Sequence, residues 1–188
     1  MTFFVAVLAV AVIVSLLRGG RLANLTEIYA RGWWLLLVGL GMQIAAGVLH
    51  EGQRSIAVGL MLGSYLLLVI VVVLNRNEAG IWIAGIGILM NLTVIAVNNG
   101  MPVLEQAVEL AGGSIDTIAL DPKHVLLEAG VTRFAFLADI IPLPGTVISL
   151  GDVFLAIGLG VFVEDQLKQP LRLFRHRVQG IPGSAAES

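Results

Sequence analysis

Apolar residues run through this chain in long blocks, each closed by a short polar cluster. The first block, about residues 2–17, ends at Arg18-Gly19-Gly20-Arg21. A polar link to Arg31 leads to a second block at about 33–49, closed by His50-Glu51-Gly52-Gln53-Arg54. A third at about 56–74 is closed by Asn75-Arg76-Asn77-Glu78, and a fourth at about 81–98 runs into Asn99-Gly100. After a long polar and mixed stretch, a fifth covers about 147–163, with Ser149, Gly151 and Asp152 interrupting its start. Blocks approaching the roughly 20 residues that cross a hydrocarbon core predict membrane-spanning helices. The expectation is therefore an all-α integral membrane bundle of five transmembrane helices.

Composition strengthens that reading. Of 188 residues, 57% are hydrophobic and 13% charged, about half the charged share of ordinary soluble domains. The mean hydropathy is +0.94. With no Cys, thiolate metal sites and Cys nucleophiles are excluded. No Lys or Arg precedes the first apolar block, so it lacks the basic start of a cleaved signal peptide and is expected to be a retained anchor.

The distribution of Lys and Arg sets an orientation. The first link, the third link and the tail hold eight, whereas the other side holds Arg54, Lys123 and Arg133. This places the N-terminus outside and the C-terminus in the cytoplasm of a plasma (inner) membrane, which five spans satisfy. Trp33, Trp34 and Trp82 fall at the cytoplasmic span ends, where indole rings favour the interface.

Residues 99–146 then form one acidic outer cap. Pro102 to Ala111 reads as a short helix, and Asp121-Pro122 as the start of a second, running to about Ala138. Both are expected at the membrane interface. Ser149-Leu150-Gly151-Asp152 has the form of a helix capping box. If the last helix starts only there, residues 140–149 either end at the interface or enter the outer leaflet as broken backbone lining a cavity. The membrane domain is taken as 1–179, with 180–188 a disordered tail. Within the tail, Leu171, Phe174 and Val178 share a helical face, and Arg172, Arg175 and Arg177 are placed to contact anionic lipid.

Candidate chemistry concentrates around the cap. Asp152 is the one acid within an apolar block: either a functional intramembrane charge or the acidic partner of the capping box. An acid at a helix N-terminus disfavours anions, so a small cation or proton is the expected ligand. Asp139, Asn98, Asn91 and His124 complete the candidate ligand-binding set. Gln43, Tyr65 and Asn91 lie at comparable depths and predict an intramembrane polar cluster, with simple interhelical bonding as the plainer alternative. His124 stands near Asp121, Glu128 and Asp139, a grouping suited to proton or metal chemistry, or simply a surface histidine. Gly59-x-x-x-Gly63 and Gly41-x-x-x-Ala45 fit close helix packing. No nucleophile triad, phosphate-cradling loop, HExxH or nucleic-acid patch occurs, so no catalytic residue, metal, cofactor or nucleic acid is assigned.

The ordered motifs Arg-Gly-Gly-Arg, Leu-Asn-Arg-Asn, Asn-Asn-Gly-Met-Pro, Asp-Ile-Ile-Pro-x-Pro and Ser-Leu-Gly-Asp resemble a bacterial family of small membrane proteins, domain of unknown function 5317. The matching residues are Arg18, Arg21, Asn91, Asn98, Asn99, Pro102, His124, Asp139, Pro142, Pro144 and Asp152. The resemblance implies a one-domain, multi-span bacterial membrane protein and brings no activity with it. The leading expectation is a non-enzymatic transporter, channel or accessory subunit handling a cation or proton at the outer face, as a homo-oligomer or with a membrane partner protein. The alternatives are a membrane enzyme acting on a lipid or envelope precursor, with His124 or Asp139 as acid/base, and a structural or sensory partner of another membrane protein.

Overall fold

The computed structural model describes residues 2–21, 23–24, 30–114 and 121–168. Five longer helices form one layer: α1 (Thr2–Leu17), α2 (Trp33–Gly47), α3 (Arg54–Leu74), α4 (Ile81–Asn98) and, after the cap, α6 (Leu150–Lys168). Between α4 and α6 lie β1 (Met101–Val103), the short helix α5 (Glu105–Leu110), β2 (His124–Leu126), β3 (Asp139–Leu143) and β4 (Thr146–Ser149). The four strands make a mixed sheet in the order β2-β1-β3-β4, with β1 parallel to both neighbours and β3–β4 antiparallel.

This sheet overturns the all-α expectation. The helix expected from Asp121 does not form, because Asp121 and Pro122 open a turn instead. The Asp121 carboxylate accepts the Lys123 backbone N–H at 3.0 Å, and His124–Leu126 then pairs with Met101–Val103. Gly130 (φ 80°) and Phe134 (φ 54°) break the remainder into turns and a 3-10 turn at Ala135–Leu137. Of the expected helix at 102–111, only Glu105–Leu110 forms, since Pro102 and Val103 belong to β1. Residues 140–149 are a hairpin. Pro144 precedes Gly145, whose φ of 78° the turn requires.

The span count is corrected as well. Among the described residues, only α3 and α4 are long and apolar enough to cross a membrane. Helices α1 and α2 have 16 and 15 residues. The 19 residues of α6 include Asp152, Glu164, Asp165 and Lys168. The block bounds lie close to the helix ends; the first two helices are short for a span, and the last carries charges at both ends.

The helices run so that one end of the layer gathers most of the basic groups. There the Asn75 side chain accepts the Arg31 N–H at 2.8 Å and donates to the Arg31 carbonyl at 2.9 Å. Arg18 and Lys168 both pair with Glu164, and the Gln166 amide donates to Glu78. The sheet covers the opposite end. Arg54, at the start of α3, ties it down by donating to the carbonyls of Asn99 (3.4 Å) and His124 (3.0 Å).

Helices α4 and α6 cross in backbone contact. A Cβ at Gly158 would overlap the backbone of Ala84 and Gly80, and one at Gly87 would overlap that of Gly151. Small residues permit this approach. Of the glycines expected to mediate close packing, Gly63 does pack tightly, with Met42 of α2 where a Cβ would sit, whereas Gly59 and Gly41 have open space there. Toward the sheet, Val58, Val94, Ile95, Met101 and Leu137 form the core that joins helices to cap.

Candidate functional site

The Gly87–Gly151 contact brings the polar residues of α4 and α6 together. Asn91, only 1% exposed, donates from Nδ2 to the Asp152 carboxylate at 2.8 Å and to the Tyr65 hydroxyl at 3.3 Å. Its Oδ1 accepts the Ser149 hydroxyl at 2.9 Å. Asp152 and Ser149 form the reciprocal capping box: the Asp152 N–H donates to Ser149 Oγ at 2.9 Å, and the Ser149 N–H to Asp152 Oδ2 at 3.1 Å. Each Asp152 oxygen is therefore already engaged. Capping and interhelical bonding are one network here.

Asp139 stands beside it, because β3 pairs Asp139 with Ser149 across the hairpin. The residue is 7% exposed, and its Oδ1 finds no hydrogen-bond partner among the described residues. Burial first, then the nearby Asp152 charge, pushes the Asp139 carboxyl well above the usual carboxylate range. His124 Nε2 lies 3.9 Å from Asp139 Oδ2, too far for a direct hydrogen bond but within reach of a small ring movement or a bridging water. The other ring nitrogen, Nδ1, is 3.0 Å from Asp121 Oδ2. Partial burial works to raise the Asp121 carboxyl. Bonds from the His124 ring and the Lys123 N–H, with the charges of both residues, outweigh it and hold it at about 2. A polar chain thus runs from partly exposed Asp121 through His124 to buried Asp139, with the Asp152–Asn91–Tyr65 network adjoining.

The expected residues divide accordingly. Asp139, Asp152, Asn91 and His124 converge; Asn98 does not. Its side chain is spent on the Val94 carbonyl and on both backbone groups of Arg133, each at 2.8 Å. Gln43 bonds to Ser64 Oγ at 3.1 Å rather than joining Tyr65 and Asn91. Glu128 makes no bond to His124 among the described residues, and the helix that would have aligned them does not form. Arg172, Arg175 and Arg177 lie outside the described residues. Ser149 was legible only as a cap, and nothing in the sequence marked its bond to Asn91. Among the described residues, no group of three His, Asp or Glu side chains is placed to hold a metal ion.

The fold and site define a helical protein whose small mixed sheet roofs a buried carboxylate. The chain belongs to the family of unknown function DUF5317, whose model matches residues 27–164. That range contains every residue of the network. An uncharacterized protein of Thermotoga maritima is 30% identical over 165 residues, covering 83% of this chain and 87% of the relative. No solved structure matches the chain.

Proposed function

We propose that this is an integral membrane protein that takes up and releases a proton at Asp139 from the sheet side. Protonation there is coupled to the packing of α4 against α6. The membrane part rests on what the long helices leave uncovered. Their most apolar stretches are only 28% (α3) and 39% (α4) buried, unlike the core helices of a water-soluble protein. Leu66, Ile70, Val73, Ile86 and Leu89 face outward, an apolar area that water would not tolerate. The basic end, with exposed Trp33, Trp34 and Trp82, fits the cytoplasmic interface of the inner membrane, and the sheet fits the outside.

The observation that carries the proton reading is the Asp139 carboxyl, buried with one unpartnered oxygen while a partly exposed histidine stands 3.9 Å from the other. A proton fits this site better than a metal ion, because the Asp152 oxygens are committed to Asn91 and the Ser149 N–H. The polar chain ends at Tyr65; beyond it α3 buries Val71 and Val72 until Asn75. One-sided uptake therefore accounts for the geometry better than an uninterrupted conduit.

Hydrogen exchange in oriented lipid vesicles tests this. Starting from alkaline buffer, acid added on the sheet side should protect the α4 and α6 amides of the wild type beyond the intrinsic acid slowing of exchange, because neutralising Asp139 removes its repulsion from Asp152. Asp139→Asn should abolish the response. Equal excess protection from acid on the opposite side, or the same excess protection in the variant, would overturn the proposal.

A further inference from the structure

The geometry points to the loop from Val131 to Phe136 as an interfacial anchor that seats two aromatic rings at the headgroup–acyl boundary of the bilayer, on the sheet side. The inference rests on the reading that α3 and α4 cross a membrane. Val131, Phe134 and Phe136 are 71%, 48% and 61% exposed within six residues of chain. The two rings meet edge to face, with centroids 6.2 Å apart, and still present most of their surface outward.

The loop is held in this posture rather than left loose. Phe134 adopts φ 54° and ψ 43°, a left-handed conformation that is unfavourable for a bulky side chain. Such strain persists only where the surroundings impose it, and it concentrates where a segment has work to do. Here the Asn98 side chain clamps both backbone groups of Arg133, one residue before. On the other side Leu137 and Ala138 are buried beneath the sheet. The strained residue is pinned from both directions, and the rings are what the pinning puts on display.

The depth of the rings selects a lipid boundary as the occupant. Asn98 is the last residue of α4, and Trp82 lies near its start. The helix between them rises about 24 Å. A hydrocarbon core is about 30 Å thick. With Trp82 at one interface, the Asn98–Arg133 clamp brings Phe134 and Phe136 close to the other. Arg133, exposed beside them, is of the type that reaches phosphate while its stem stays in the apolar zone. The rings protrude from the fold, so they fit a deformable lipid surface.

Tryptophan fluorescence in phosphatidylcholine vesicles tests the assignment. One protein carries Phe136→Trp with Trp33→Phe, Trp34→Phe and Trp82→Phe; another keeps Trp82 as its sole indole. Bromine on the upper acyl chain should quench the residue-136 indole more strongly than bromine near the bilayer centre or aqueous acrylamide. Val131→Cys with a polarity-sensitive dye gives an independent reading on the same loop, since the chain has no native Cys. If acrylamide quenches residue 136 while brominated lipid quenches Trp82, the loop is in water: the inference fails and the membrane reading stands. Exposure of both indoles to acrylamide defeats the membrane reading and the inference with it. Protection of residue 136 that disappears as protein is diluted in lipid assigns the loop to a second copy and also overturns the inference.

Discussion

Replacing Asp139 with Asn removes one charge from the most sharply perturbed position in the sheet. The substitution keeps the shape of the side chain and adds an N–H donor beside Asp152. A buried charged group with an unmade hydrogen bond costs about 1–3 kcal/mol, and the nearby Asp152 carboxylate adds repulsion. The pH dependence follows from the direction of the shift. The native state holds the Asp139 proton to higher pH than the unfolded chain does. Its contribution to stability is therefore complete below the unfolded value, about 4, and falls as pH rises through the native value. Asp139→Asn is expected to match the wild type near pH ~4 and to be more stable by about 1–3 kcal/mol near pH ~8. For a protein of this size each kcal/mol moves the melting temperature by roughly 2–4 °C. Thermal unfolding in detergent micelles, followed by circular dichroism across this range, reads the difference directly. Equal destabilisation of the variant at every pH would instead mean that the Asp139 carboxylate is ionised and well satisfied.

The α4–α6 contact gives a paired test: Gly158→Leu should cost more than about 3 kcal/mol, because backbone faces the new side chain. Gly59→Ala, in open space, should be neutral or stabilise by up to about 1 kcal/mol through helix propensity; denaturant titration of both separates the cases. Asn91→Ala strips partners from Asp152, Ser149 and Tyr65 and should cost about 2–4 kcal/mol in the same titration, with α6 loosening first in hydrogen exchange. Asp121, held low, stabilises β2 above its unfolded value of about 4 and loses that contribution as pH falls toward about 2. His124→Ala should reduce this acid dependence, read as earlier exchange of the Met101 N–H that bonds the Lys123 carbonyl.

Much of the site was legible because it lies on helices. Apolar blocks put Tyr65 and Asn91 at matching depth and the two do meet, but depth alone does not decide it, since Gln43 at the same depth bonds Ser64 instead. The sheet was not legible. Strands β1 and β2 are three residues each, and they pair in parallel across a long connection with no hairpin turn to announce them. Asp121-Pro122 is as good an opening for a turn as for a helix, and only the tertiary pairing of His124–Leu126 decides between them. The glycine contacts were only partly legible, for a related reason. Gly59 and Gly63 have the familiar spacing, yet only Gly63 meets a neighbour, Met42, and the closest backbone approach is on α4, where Gly80, Ala84 and Gly87 meet α6. Spacing identifies which residues share a face, not which face meets a neighbour.

Asp139 holds its proton under the sheet to higher pH than surface carboxylates hold theirs. Infrared spectroscopy of the protein in lipid vesicles, titrated upward from acid pH, measures this through the carbonyl stretch of a protonated carboxylic acid. In the wild type one such band should outlast those of the surface carboxyls as pH rises and shift on deuteration, and it should be missing in Asp139→Asn. A wild-type spectrum with no protonated carboxyl, or a band that survives in Asp139→Asn, would contradict it.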